Sequence, residues 1–150
     1  MDKSMIDSLI KVKALRFRQL DSERIKSLIE SAEKTANFIK TLELKEESSN
    51  IIFRELYESI RQLGEARWRI IGYEPLNHEI SLDGLIDLDI KEKTMLNHLA
   101  RFKKIRHDSN YKGIFVSVNQ AKEILDFWNK CGEGILEILK KDLNRQINNK

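Results

Sequence analysis

The stretch RFKKIRHDSNYKG, residues 101–113, gathers five cations, one acid, a histidine, a tyrosine and a closing glycine. An arginine guanidinium is always charged and presents a planar fork suited to two phosphate oxygens. A neighbouring histidine exchanges protons near neutral pH. Together they are the minimum for cutting RNA without a metal. The imidazole would draw the proton from a ribose 2′-hydroxyl while the guanidinium steadies charge on the phosphorus-bound oxygens. Arg101, Arg106 and His107 are therefore the catalytic candidates, and Lys103, Lys104, Tyr111 and Lys112 the substrate-binding ones. No cofactor is called for. A purely structural role accounts for the same residues in another way. Cations in a last helical turn complement its carbonyl end, and Asn110 with Gly113 is ordinary turn composition.

Spacing sets a condition on the chemistry. In an unbroken helix Arg101 and His107 would lie about 9 Å apart along the axis and point to largely opposite sides. They converge only if the helix ends near Ile105. The turn-forming run HDSN predicts such an end, and Gly113 supplies a second break.

Five helical patterns surround this stretch. Met5, Ile6, Leu9, Ile10, Leu15 and Leu20 mark a first amphipathic helix. Asp21 or Ser22 can cap a second, with Ile25, Leu28, Ile29, Ala32, Ala36 and Ile39 on its face. The third and longest carries Ile52, Leu56, Ile60, Leu63, Ile70 and Ile71, with Phe53, Tyr57 and Trp68 at its flanks. Gly72 and Pro75 end it. Residues 74–88 lose the pattern and read as a long connection with one short helical turn. A fourth helix is expected from Asp89, with Glu92 completing a capping box and Met95, Leu96, Leu99, Phe102 and Ile105 inward. Ser117 and Gln120 open a fifth, along Ala121, Leu125, Trp128, Ile135, Leu139 and Leu143. Gly132 and Gly134 in its middle imply that another helix packs closely there. The tail NRQINNK is expected to fray. These patterns predict one all-α domain over residues 1–150, an antiparallel bundle of about five helices with no strands.

Composition limits the function classes. Hydrophobic residues make up 41% and charged residues 34% of the 150, a globular balance. No apolar run is long enough to span a bilayer, the N-terminus lacks the core of a signal peptide, and Cys131 stands alone. A cytoplasmic location without membrane association is the plain expectation. Glycine-rich phosphate loops, HExxH, GxSxG and paired-cysteine patterns are absent, so P-loop, metallohydrolase and serine-hydrolase chemistries lack motif support. Glu43, Glu46 and Glu47 read as a solvated helix start, and His78 and His98 as surface or partly packed histidines. No helix-turn-helix spacing supports DNA binding. The net charge is only +3, but six acids between Glu74 and Glu92 precede the basic run.

With these elements in order, Arg101-FKKIR-His107 resembles the signature of HEPN-domain proteins. These are small helical bundles in which an arginine, four to six residues and a histidine lie where one helix ends and the next begins. The resemblance implies a homodimer with two motifs facing one another across a cleft. It also implies metal-independent endoribonuclease activity, often as a toxin paired with a minimal nucleotidyltransferase. Alternatively, it implies an inactive module that binds nucleotide or RNA or docks that transferase. Active members place a small polar residue after the arginine, where this chain has Phe102. The register Arg106-HDSN-Tyr111 fits that preference better and puts a tyrosine where histidine is expected. A phenol with a pKa near 10 is a poor base at neutral pH.

Overall fold

The computed structural model describes residues 1–149. It contains α1 (Lys3–Lys11), β1 (Leu15–Phe17), α2 (Ser22–Ile39), α3 (Glu46–Ile70), β2 (Tyr73–Pro75), α4 (His98–Lys112) and α5 (Val118–Asn148). Two 3₁₀ turns, Leu82–Leu85 and Lys93–Asn97, lie between β2 and α4. The chain is thus a mostly helical bundle of five helices.

α3 is the hub, packed between α2 and α5. Gln62 reaches Ser31 and Arg24 reaches Glu65, so α2 and α3 run antiparallel. The expected stripe of α3 is buried from Ile52 to Ile70. Phe102 is the plug of α4. It meets Phe53 of α3 edge-on at 6.1 Å and Phe127 of α5 edge-on at 5.4 Å, and all three rings are inaccessible to solvent. Such pairs contribute about 0.5–1.5 kcal/mol beyond their buried area.

Several expectations need correcting. The first helix stops at Lys11, because Lys13 takes the left-handed backbone (φ 59°) and the chain turns. Leu15–Phe17 then pairs antiparallel with Tyr73–Pro75 in a two-stranded sheet, where no strand was expected. Trp68, Leu15 and Ile80 form a second small core beneath it. The fourth helix begins at His98 rather than Asp89, since Leu88 and Ile90 are buried in the connection and a 3₁₀ turn covers Lys93–Asn97. Most consequential, α4 does not end near Ile105. It continues to Lys112 and is closed by Gly113 at φ 65°. Salt-bridged Asp108–Lys112 and hydrogen-bonded Arg106–Asn110 are i,i+4 pairs that support the extra turns. The tail is helical to Asn148, with Lys150 outside the described residues.

The glycines of α5 do not receive a neighbouring helix. Gly132 lies against the Trp128 ring of its own helix, and Gly134 meets Ile90 of the connection at ordinary distance. The close approach is elsewhere, where Gly64 of α3 abuts the Ser81 carbonyl. That contact seats the segment carrying His78 and Glu79 against α3, and Trp68 donates to the Ile80 carbonyl at 2.8 Å beside it.

Candidate functional site

α4 buries only Leu99, Phe102 and Ile105, a narrow stripe three residues apart. The rest of its circumference is free, and one side of it forms a wall of a 440 Å³ cleft with α3 and the loop after β2. Clefts of roughly 300–1,000 Å³ accommodate a small organic ligand. From α4 come Lys103, Lys104, Arg106, His107, Asn110 and Tyr111; from α3 come Tyr57, Glu58 and Arg61; from the loop come His78 and Glu79.

The unbroken helix decides between the two arginines. Arg101 projects away from the cleft and forms a two-point ion pair with Glu123 of α5, at 2.7 and 3.0 Å. That hydrogen-bonded pairing raises its already high pKa. Arg101 and His107 are therefore not brought together. Arg106 and His107 both line the cleft, and the His107 and Tyr111 rings lie one turn apart with centroids at 4.7 Å. Of the other expected contacts, Lys104 and Tyr111 are in the cleft. Lys103 also lines it but is bonded to Asp83, whereas Lys112 is outside it and paired with Asp108.

Arg106 has an unusual charge environment. The chain has ten arginines. Arg16, Arg18, Arg24, Arg54, Arg61, Arg67, Arg69, Arg101 and Arg145 each meet a carboxylate within 4.0 Å. Arg106, among the described residues, meets none and donates only to Asn110 Oδ1. Lys104 likewise has no carboxylate partner among them. Surface pairs contribute little to stability, so what matters here is direction: the positive charge left uncompensated beside the cleft is an anion-attracting field.

The opposite wall is held by a buried ionic relay. Arg61 grips Glu58 through two nitrogens, at 2.6 and 2.9 Å, and Glu65 through a third at 3.1 Å. Glu65 also accepts from Arg69 at 3.0 Å, and Arg69 continues to Glu74 of β2. Burial alone would raise the Glu65 carboxyl, but the hydrogen bonds and charges of Arg69 and Arg61 outweigh it and hold it below the usual carboxylate range. Arg61 is fixed and largely neutralised, so it shapes the wall rather than adding free charge. Between the walls sits Tyr57. Burial raises its phenol to about 12, against lowering by Arg106 and Arg61, so it remains a hydrogen-bond donor.

Tyr57, Arg61, His78 and Glu79 were not among the expected site residues. Tyr57 and Arg61 are four apart on the flank of the α3 stripe, a spacing that could have flagged them. His78 and Glu79 carry no local signal, because only the docking of their loop against Gly64 brings them in. His98 is exposed and stacks on Phe102, away from the cleft. Among the described residues no helix is long and apolar enough to cross a membrane. Compared with protein-family models, with curated proteins and with solved structures, the chain matches none.

Proposed function

We propose that this chain is a HEPN-like helical module whose α3–α4 cleft binds a phosphate-bearing nucleotide or single-stranded RNA. The observation that carries this reading is Arg106, the arginine that meets no carboxylate among the described residues, facing a cleft of ligand size beside Lys104 and two aromatic rings. A phosphate would take the guanidinium fork through two parallel bonds, and an unstacked base would lie against Tyr111, as bases do on aromatic side chains. Anisotropy of a fluorescent single-stranded RNA tests it. Arg106→Ala should weaken binding and lower the salt slope by about one phosphate contact. Unchanged affinity and slope would refute it.

RNA cleavage is the second reading, favoured by one observation: His107 and His78 line the same cleft from different elements. One imidazole would accept the 2′-hydroxyl proton as that oxygen attacks phosphorus. The other would protonate the departing 5′-oxygen, and Arg106 and Lys104 would offset charge on the non-bridging oxygens. The products would be a 2′,3′-cyclic phosphate and a free 5′-hydroxyl. Cleavage in chelator-containing buffer that is lost in both His107→Ala and His78→Ala supports this reading. Cleavage that survives both variants sinks it.

The homodimer that the resemblance implies would be formed at the turn between α4 and α5, where Tyr111 also lines the cleft. Trp68 and Trp128 are buried within the single chain. The apolar surface on offer is instead Tyr111, Ile114, Phe115 and Val118, exposed by 77, 54, 82 and 37%.

A further inference from the structure

We infer that the cleft selects guanine: a guanosine 5′-phosphate group, free or within single-stranded RNA, places its phosphate on Arg106 and Lys104, its base against Tyr111 and its Watson–Crick edge on the Glu79 carboxylate. This rests on the phosphate-binding reading above and adds the identity of the base. Two carboxylates line the cleft, and they differ in availability. Glu58 is held at both oxygens by Arg61. Glu79 is exposed and, among the described residues, meets no cation within 4.0 Å. The cleft therefore offers one unpaired anion and one unpaired guanidinium that do not bond to each other. Both lie close enough to the Tyr57 hydroxyl for their charges to act on it in opposite directions.

A ligand that satisfies both poles needs an anion at one end and hydrogen-bond donors at the other, with a planar body to lie by the His107–Tyr111 pair. Guanine meets the second need best. Its N1–H and N2 amino group are parallel donors that match the two oxygens of a carboxylate. Adenine and cytosine set an amino group beside a ring-nitrogen lone pair, and uracil sets one N–H between two carbonyls. In each of these a lone pair faces the second carboxylate oxygen and is repelled. A good two-point contact of this kind discriminates by roughly 5–150-fold.

Equilibrium binding of 5′-GMP, 5′-IMP, 5′-AMP, 5′-CMP and 5′-UMP to the full chain tests the proposal. GMP should bind at least about tenfold tighter than AMP, CMP or UMP, and IMP, which lacks the N2 amino group, should fall between. Glu79→Gln should remove that preference by weakening GMP, while AMP, relieved of the repelling oxygen, binds as well as before or better, which also shows that the variant is folded. Comparing GMP with a short oligoribonucleotide holding a single guanosine separates the sources: equal affinity marks a free-nucleotide site, tighter oligonucleotide binding an RNA site. A guanine preference that persists in Glu79→Gln, or equal binding of all five nucleotides with no effect of the variant, overturns the selectivity while leaving phosphate binding intact. Binding of none, by either nucleotide or RNA, overturns both.

Discussion

Gly64→Ala would place a Cβ 2.0 Å from the Ser81 carbonyl oxygen and 2.6 Å from its carbon. Both are backbone atoms, so no rotamer change relieves the clash, and the segment must retreat by about 1.4 Å to reach ordinary contact. If it adjusts in place, overpacking costs about 1–3 kcal/mol. If it undocks, the burial of Leu82 and Leu85, both inaccessible to solvent, is lost at about 1.5–3 kcal/mol each. Alanine's better helix propensity returns about 1 kcal/mol. The net loss is roughly 0–2 kcal/mol if the segment adjusts and roughly 2–5 kcal/mol if it undocks, and undocking lowers the melting temperature of a chain of this length by about 4–20 °C. Gly134→Ala is the internal control. Its Cβ would meet Ile90 at 3.5 Å, an ordinary contact, so the propensity gain should survive and raise stability by about 0.5–1 kcal/mol. Thermal unfolding followed by circular dichroism reads both. A Gly64→Ala chain that melts at or above wild type would refute the idea that this backbone contact seats the loop. The same variant should bind nucleotide more weakly, because His78 and Glu79 precede the displaced segment directly.

Four further outcomes follow from the geometry. Arg101→Ala should leave both the melting temperature and RNA affinity within error of wild type, since its pair with Glu123 is exposed and outside the cleft; lost binding in that variant, measured by anisotropy, would restore the Arg101 register. Glu65→Gln should cost about 2–3 kcal/mol in denaturant unfolding, below the usual range for a broken buried pair because Arg61 keeps Glu58 and Arg69 keeps Glu74. Glu65, Glu74 and Asp87 all have depressed carboxyls, so their contribution is complete above about pH 4.5 and lost as pH falls through the lower folded values; in wild type the melting temperature should stay level down to about pH 5 and drop below 4.5, less steeply in Glu65→Gln. Phe115→Glu should leave the helical circular dichroism signal unchanged, because the ring is 82% exposed, yet convert a sedimenting dimer to monomer; a wild-type chain that sediments as a monomer at micromolar concentration would remove the proposed interface.

What could be read from the sequence was what local periodicity encodes. The faces of α2, α3 and α5, the Asp21 cap and the Ser117–Gln120 box all depend on residues within a turn or two of one another. The β1–β2 pair was hidden because its partners are far apart in the chain: Leu15 needs Pro75 to become a strand, and nothing near Leu15 says so. The end of α4 departs from what its composition implies for a related reason. HDSN favours a turn by composition, but in place its Asp108 and Asn110 find Lys112 and Arg106 one turn away, and the left-handed Gly113 offers a stop only afterwards. The cleft was half legible. Its α4 wall is one contiguous stretch, whereas the opposite wall comes from α3 and a loop that a glycine contact holds in position.

The two arginines of α4 show why position outweighs type. Both are alike in sequence: each adjoins a core residue, and each has lysines two or three positions away. Phe102 must fill the gap between Phe53 and Phe127, and that orientation turns Arg101 toward α5, where Glu123 neutralises it. The helix continues without a break, so Arg106 is turned toward α3 instead. There the α3 carboxylates, Glu58 and Glu65, are already taken by Arg61, and the loop's Glu79 lines the cleft without bonding to Arg106. The buried relay thus does more than stiffen α3. By occupying those acids it leaves Arg106 uncompensated, which is the state a phosphate-binding guanidinium requires. Removing Glu58 or Glu65 would disorder Arg61, and introducing an acid near Arg106 would fill the site from within; the second change should abolish anion binding while leaving the fold intact.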